Sequence, residues 1–151
     1  MDVYTALKSK GLTLPPPPPR GGLYVPVRQV GNLLFTAGCG ATVNGIAVTP
    51  GKVGAELDLE QGQEAARLCV MNLLSVLHEY LGDLGKIKNV VKLLGFVASA
   101  PTFHRQPEVM NAASQLLVDV FGERGQHARS AIGTNVLPGD IAVEIELICE
   151  V

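Results

Sequence analysis

Two long stretches of the chain place apolar residues three and four positions apart, which is the spacing of an amphipathic helix. The first apolar stripe covers residues 65–80. Asp58 precedes it and Gln61 follows three positions later, so the pair predicts a capping box, and Gly82 predicts the end of the helix. The second stripe predicts a helix over residues 103–121, with a proline tolerated near its first turn.

The other apolar segments are short and bounded by turn residues, a pattern typical of strands. Residues 87–98 carry apolar side chains on both faces, which fits a strand with both faces buried. Residues 38–54 are rich in Gly, Thr and Asn and predict a loop with at most a short strand. The remaining predicted strands cover residues 23–29 and 33–37, joined as a hairpin, and residues 128–134 and 141–151, joined by a turn at 137–140.

A separate leader is predicted ahead of the main domain. Asp2 is a suitable cap for a helix over residues 2–10 that ends at Gly11. The five prolines at residues 15–19 favour a stiff, extended connector on the surface, and the alternative is a ligand for a proline-binding module. The length of 151 residues then predicts a leader over residues 1–19 and one domain over residues 20–151.

The order of predicted elements, ββ-α-β-α-ββ, indicates an α+β domain with two helices packed on one face of a sheet. Two helices cover only one face, yet the strand at residues 87–98 is apolar on both. A second copy of the chain would cover the other face, so we expect an obligate homo-oligomer. The low share of charged residues, 17%, agrees with a surface partly buried against other copies.

Composition narrows the function classes. The net charge is −2, no basic run is present and Trp is absent, which makes nucleic-acid binding an unfavourable hypothesis. The three cysteines are widely spaced and form no metal-ligand motif, so we expect no metal and no cofactor. The sequence starts without a signal-peptide pattern and has no apolar run long enough to cross a bilayer, which predicts a cytoplasmic protein without a membrane partner.

Arg129 is the most informative single residue, because a guanidinium in an apolar strand needs a partner or a route to water. Its planar fork of donors matches a carboxylate, so Arg129 with a Glu on a neighbouring strand would suit a pocket for a small carboxylic acid. The alternative is a structural ion pair between Arg129 and Glu144 or Glu146. The residues alone favour neither interpretation.

Several stretches of the chain form a recognisable set. They are residues 31–38, residues 72–74, residues 90–97, the helix around Asn111 and, above all, Ala128-Arg129-Ser130 followed by Leu137-Pro138 and Val143-Glu144-Ile145-Glu146. This set resembles the reactive-intermediate deaminase family, also called Rid or YjgF and often named for endoribonuclease L-PSP. The resemblance covers roughly residues 20–151, and the leader is similar to a branch of that family with a longer N-terminus.

The resemblance implies a chorismate-mutase-like, two-layer fold with a mixed sheet, assembled as a homotrimer with ligand clefts between subunits. It also implies hydrolysis of small 2-imino or enamine acids to 2-oxo acids with release of ammonia. By the same resemblance, Arg129 would hold the carboxylate of the substrate and Glu144 would orient or activate the water. The positions that would line the cleft are Tyr24, Gly38, Cys39, Asn111, Ala131 and Pro138.

The chain departs from the archetypal members at two of these positions. Ala131 stands where they carry Cys, and Ala37 stands where they usually carry Ser. These departures indicate a carboxylate site that takes a different ligand. Cys39, between two glycines, is predicted as an exposed thiol at the cleft or as a residue without a chemical role.

Three function classes remain from the sequence. The first is an imine or enamine deaminase. The second is a non-catalytic binder or sensor of small carboxylic acids on the same fold. The third is a ribonuclease or translation inhibitor, which the acidic balance of the chain disfavours.

Overall fold

The computed structural model describes residues 1–151 and contains one mixed sheet with helices on one of its faces. The helices are α1 (Val3–Ser9), α2 (Leu59–Leu81) and α3 (Gln106–Phe121). The strands are β1 (Val27–Val30), β2 (Leu33–Thr36), β3 (Cys39–Gly40), β4 (Thr42–Val43), β5 (Ile46–Ala47), β6 (Asn89–Ala98), β7 (Ala128–Thr134) and β8 (Val143–Glu150). The predicted α+β class is therefore confirmed.

The sheet runs in the order β1-β2-β8-β6-β7, and the short β3 also pairs with β8. Only the β6–β7 pair is parallel, as expected for two strands connected through a helix. The other pairs are antiparallel, including the predicted β1–β2 hairpin. As a result β8, the last strand, lies in the centre of the sheet and β7 lies at its edge.

Several predicted boundaries differ from the structure. The first strand begins at Val27, because the proline at residue 26 and the turn before it take the chain out of the sheet. The second long helix begins at Gln106, with Pro107 in its first turn. The predicted loop over residues 38–54 contains the three short strands β3, β4 and β5.

The helical layer begins with the predicted capping box. The Asp58 side chain accepts from the Gln61 N–H, the Gln61 side chain accepts from the Asp58 N–H, and Gly82 ends α2 in a left-handed conformation. The helices α2 and α3 pack side by side over the sheet, and their apolar stripes meet the side chains of β6 and β8 that point toward them. The two predicted helices form this layer. None of the helices combines the length and the apolar character needed to cross a bilayer.

A third helix, α1, joins the same layer rather than standing apart with the leader. Val3 and Leu7 are buried in the common hydrophobic core, and Lys10 pairs with Asp119 on α3 at 2.9 Å. The Tyr4 hydroxyl accepts from the Leu84 N–H and lies 2.9 Å from His78 Nδ1. These contacts attach the start of the chain to the carboxyl end of α2.

The proline-rich segment lies along α2, against the body of the protein. The Ser75 hydroxyl donates to the Pro15 carbonyl oxygen at 2.7 Å, and Leu12 and Leu14 pack against the core. Further along, Pro19 packs against Gly45, which has no side chain to keep it away. The leader therefore reaches the region beside β3 along a fixed path.

The second face of the sheet has no cover within one copy of the chain. Side chains of β8 alternate strictly, so that Val143, Ile145, Leu147 and Cys149 are buried under the helices and the residues between them point to the other face. The apolar side chains on this second face include Phe35 and Ile132, both exposed. The sequence predicted that both faces of β6 are buried. Elements of this chain cover only the face that lies under the helices.

Candidate functional site

Arg129 lies on the edge strand β7 and points toward α3. Its Nη1 donates to Asn111 Oδ1 at 2.9 Å and to Ser114 Oγ at 3.1 Å. No carboxylate lies within 4 Å of the guanidinium, and the three ion pairs of the chain all lie elsewhere. The interpretation of Arg129 as a structural ion pair is therefore wrong. Two neutral oxygens orient the cation and leave its charge available to a ligand.

A histidine extends this hydrogen-bonded chain. His127 Nδ1 lies 2.6 Å from the Gly125 carbonyl oxygen, which can only accept, so Nδ1 carries the proton. His127 Nε2 then accepts from the Ser114 hydroxyl at 2.9 Å, and Ser114 in turn accepts from Arg129. Burial lowers the pKa of His127, the nearby positive charge of Arg129 lowers it further, and the bond to Gly125 opposes both. A neutral His127 is therefore the form that fits this arrangement.

Glu144 does not lie beside Arg129 in the same copy. The strand β6 separates β7 from β8, with Leu93 opposite Arg129 and Phe96 opposite Glu144. Glu144 also points to the uncovered face, whereas Arg129 points to the helical face. The prediction that the Arg and the Glu belong to neighbouring strands is wrong, because β6 inserts between β7 and β8.

Glu144 packs instead against Gly38, where pairing with β8 is interrupted between β2 and β3. A Cβ on Gly38 would lie 2.9 Å from the Glu144 carboxyl carbon, so any larger residue at this position would displace the Glu144 side chain. In the same interruption the Leu147 N–H donates to the Thr36 hydroxyl rather than to a backbone carbonyl. The Gly38 N–H donates no hydrogen bond within the protomer. A carboxyl and a free backbone donor are thus placed together.

The surroundings of Glu144 change its acidity. Burial raises the pKa of this carboxyl, and the negative charge of Glu146, which points to the same face, raises it further. Neither carboxylate has a cationic partner within 4 Å. A carboxyl whose pKa is moved toward neutrality is a better proton acceptor and donor near pH 7 than an ordinary glutamate.

A cavity of about 250 Å³ opens beside Gly38. Its wall includes the predicted residues Tyr24, Gly38, Cys39 and Pro138. Pro18 and Pro19 of the leader complete the wall on one side, together with Arg20, which directly follows them. The exposed ring of Tyr24 is fixed by a hydrogen bond from the Gly21 N–H to its hydroxyl at 3.0 Å. The cavity is therefore a product of the leader and the β3 region together.

Cys39 contributes its backbone more than its thiol. The side chain is buried in the core on the helical side of the sheet, opposite Ile145. Burial raises the pKa of the Cys39 thiol to about 12, with a further contribution from the negative charge of Glu144. Of the two interpretations of Cys39, the exposed thiol is wrong, because the side chain is buried and a thiol with this pKa is not a nucleophile at neutral pH.

The predicted site residues therefore fall into two groups within one copy. Arg129, Asn111 and the partly buried Ala131 belong to the edge of the sheet near α3. Glu144, Gly38, Tyr24, Cys39 and Pro138 belong to the β3 region and its cavity. No group of three or more His, Cys, Asp or Glu side chains is close enough to hold a metal ion.

Two residues of these groups were not predicted from the sequence. Ser114 follows Asn111 by three positions on a helix, so the two polar side chains share one face, and this spacing was available as a signal. Arg20 gave no local signal, because its place in the cavity wall depends on the path of the proline-rich segment.

Comparisons with known proteins agree with this architecture. A family model described as "YjgF/chorismate mutase-like, putative endoribonuclease" matches residues 5–151, so the match extends well into the predicted leader. The Agrobacterium tumefaciens protein Atu1372, described as of unknown function, is 43% identical, with a TM-score of 0.92 over 99% of this chain and 92% of that one. A Shewanella oneidensis structure, described as "a putative endoribonuclease", is 29% identical with a TM-score of 0.96 over the whole of both chains.

Among curated proteins, the Trypanosoma cruzi protein TCP17 is 46% identical over 101 residues, or 66% of this chain. The match spans 63% of the length of TCP17. The family model alone covers nearly all of the described fold. The chain belongs to the YjgF/chorismate mutase-like family.

Proposed function

We propose that the protein hydrolyses small 2-imino or enamine acids to 2-oxo acids and ammonia, in clefts formed between copies of the chain. The observation that carries this proposal is the state of Arg129: a partly buried guanidinium, held by two neutral oxygens, with no carboxylate of its own. A charge of this kind is costly unless a ligand or a partner chain neutralises it. A substrate carboxylate does so with two parallel hydrogen bonds.

Glu144 and Gly38, in the β3 region, would supply the groups that act on the substrate. In the proposed reaction Glu144 takes a proton from water as the oxygen adds to the carbon of the protonated imine, which gives a neutral carbinolamine. The same carboxyl then returns that proton to the nitrogen. As the carbon–nitrogen bond breaks, the carbinolamine hydroxyl gives its proton to the carboxylate, so that the 2-oxo acid and ammonia leave and the proton passes on to solvent. The raised pKa of Glu144 suits these proton transfers. The free Gly38 N–H is a suitable donor to the developing oxygen anion.

Assembly as a homotrimer is part of the proposal. One copy separates Arg129 from Glu144 by the width of β6 and by the two faces of the sheet, so one substrate cannot touch both within it. A head-to-tail contact between copies, which closes into a ring, would join the edge of one sheet to the β3 region of the next. The apolar side chains on the uncovered face, among them Phe35 and Ile132, support burial against another copy.

The test is ammonia release from 2-iminobutyrate generated in situ by an amino-acid oxidase, measured for the wild type and for Arg129→Ala. The matched control is Arg67→Ala, which removes an arginine from the exposed surface of α2. We expect acceleration by the wild type and the control, and at least a roughly hundredfold loss in Arg129→Ala, since the carboxylate loses a bidentate charged partner. Binding of 2-oxo acids without acceleration would reject the deaminase and support the non-catalytic binder.

A further inference from the structure

The cavity beside Gly38 contains a second arginine, which the proposed deaminase reaction does not use. Arg20 directly follows the leader and lies in the cavity wall. Its Nη1 donates to the Tyr24 carbonyl oxygen at 2.7 Å, and this bond closes a compact turn that the Gly21–Tyr24 hydrogen bond also holds. The guanidinium is therefore in a defined place although it is exposed to solvent.

Most of the hydrogen-bonding capacity of Arg20 is unused. A guanidinium has five N–H donors, and within the chain Arg20 makes this single hydrogen bond, to a backbone carbonyl. It has no carboxylate partner within 4 Å. The remaining donors form the planar fork that recognises a carboxylate.

The position of Arg20 is set by the leader. Ser75 holds the Pro15 carbonyl, and the contact between Pro19 and Gly45 fixes the residue immediately before Arg20. Proline restricts the backbone, so a run of five limits the positions that the following side chain can reach. A cation delivered by a stiff, anchored segment loses little entropy when it binds a ligand.

The charges around the cavity decide what Arg20 selects. Among the residues that line it, Arg20 is the sole cation and no acid is present. Glu144 lies behind Gly38 and repels an anion from that end. One guanidinium matches the single charge of a carboxylate, and the volume of about 250 Å³ suits a side chain of a few atoms.

We propose that Arg20 forms a second anion subsite, so that the preferred substrate is a 2-imino acid with a carboxylate on its own side chain. This inference rests on the proposed deaminase function, in which Arg129 holds the first carboxylate. The leader is then a specificity element, since it brings the second cation to the cavity.

The test compares binding of the corresponding 2-oxo acids, 2-oxoglutarate and 2-oxobutanoate, by calorimetry. The variants are Arg20→Gln and Arg20→Glu, with Arg67→Gln as a control that removes an equal charge from the exposed surface of α2. We expect the wild type and the control to bind 2-oxoglutarate roughly tenfold more tightly than 2-oxobutanoate, from one added charged hydrogen-bonding contact. Arg20→Gln should abolish this preference and Arg20→Glu should reverse it.

An absent preference in the wild type, or a preference that survives in Arg20→Gln, would overturn the subsite. Turnover of the two matching imino acids separates this outcome from failure of the proposed function. If neither imino acid is hydrolysed faster than in buffer, the deaminase function is rejected. The binding preference for 2-oxoglutarate still shows whether Arg20 forms an anion subsite. If both are hydrolysed with the same selectivity in Arg20→Gln and wild type, only the subsite is rejected.

Discussion

Replacement of Ser114 by alanine tests how the protein holds its principal cation. The Ser114 hydroxyl accepts from Arg129 at 3.1 Å and donates to His127 Nε2 at 2.9 Å. Ser114→Ala removes both bonds, leaves His127 Nε2 without its partner and leaves Asn111 as the sole side chain that orients Arg129. The change should therefore disturb the position of the Arg129 guanidinium.

The structure sets the expected size of the effect. Losing a hydrogen bond and leaving a half-buried acceptor unpaired costs about 1–3 kcal/mol, so the free energy of unfolding should fall by that amount. A guanidinium held at one point instead of two is less well placed for the substrate carboxylate. The corresponding loss in kcat/KM should be about tenfold, with most of it in KM because the contact is made to the ground-state carboxylate.

The assay is a double-mutant cycle on 2-iminobutyrate hydrolysis with Ser114→Ala and Arg129→Ala. If Ser114 acts through Arg129, the serine change should have little further effect on kcat/KM once Arg129 is gone. Ser9→Ala is the matched control, since it removes a 2.8 Å hydroxyl bond from α1, outside both groups of site residues. An equal loss of kcat/KM from Ser114→Ala in the wild-type and Arg129→Ala backgrounds would refute this reasoning.

Three further predictions concern the second group of residues. Glu146→Gln removes a charge that raises the pKa of Glu144, so the acid limb of the plot of kcat/KM against pH should move to lower pH. Burial should still keep this limb above the pH expected for an ordinary glutamate. An unmoved limb would contradict the assignment of Glu144 as the group that titrates. Gly38→Ala places a Cβ 2.9 Å from the Glu144 carboxyl carbon, so kcat should fall at least about tenfold, and an unchanged kcat would show that the carboxylate position is unimportant. Cys39, with a thiol pKa of about 12, should resist iodoacetamide in the native protein at pH 8 and should react after denaturation. Peptide mapping would identify the labelled cysteine, and rapid labelling of Cys39 in the native protein would contradict its burial.

The sequence predicted the elements with strong periodicity and local chemistry. The capping box at Asp58, the glycine that ends α2 and the alternation of β8 are local patterns, so each was visible before the fold was known. Boundaries were less accurate where the chain left the sheet through a turn, as it does before Val27. The secondary-structure propensity of a segment does not reveal which strands it will pair with in the sheet.

The arrangement of the site depended on strand order, which periodicity does not contain. Arg129 and Glu144 come from consecutive strands in the sequence, yet β6 pairs between them. The sequence singled out Arg129 as a charge that needs a partner or a route to water, but its neutral partners lie on a helix that comes earlier in the chain. Contacts of that kind are tertiary and leave only weak traces in the sequence, such as the shared face of Asn111 and Ser114.

The most direct test of the central claim, that each site combines the Arg129 group of one copy with the Glu144 group of another, is subunit complementation. Arg129→Ala and Glu144→Gln proteins, each expected to have little activity alone, are unfolded, mixed in equal amounts and refolded, and 2-iminobutyrate hydrolysis is measured. Random mixing gives each shared site both intact groups in about a quarter of cases, so roughly a quarter of wild-type activity should return. No recovery in mixed, correctly assembled oligomers would show that both residues act within one copy and would contradict the account.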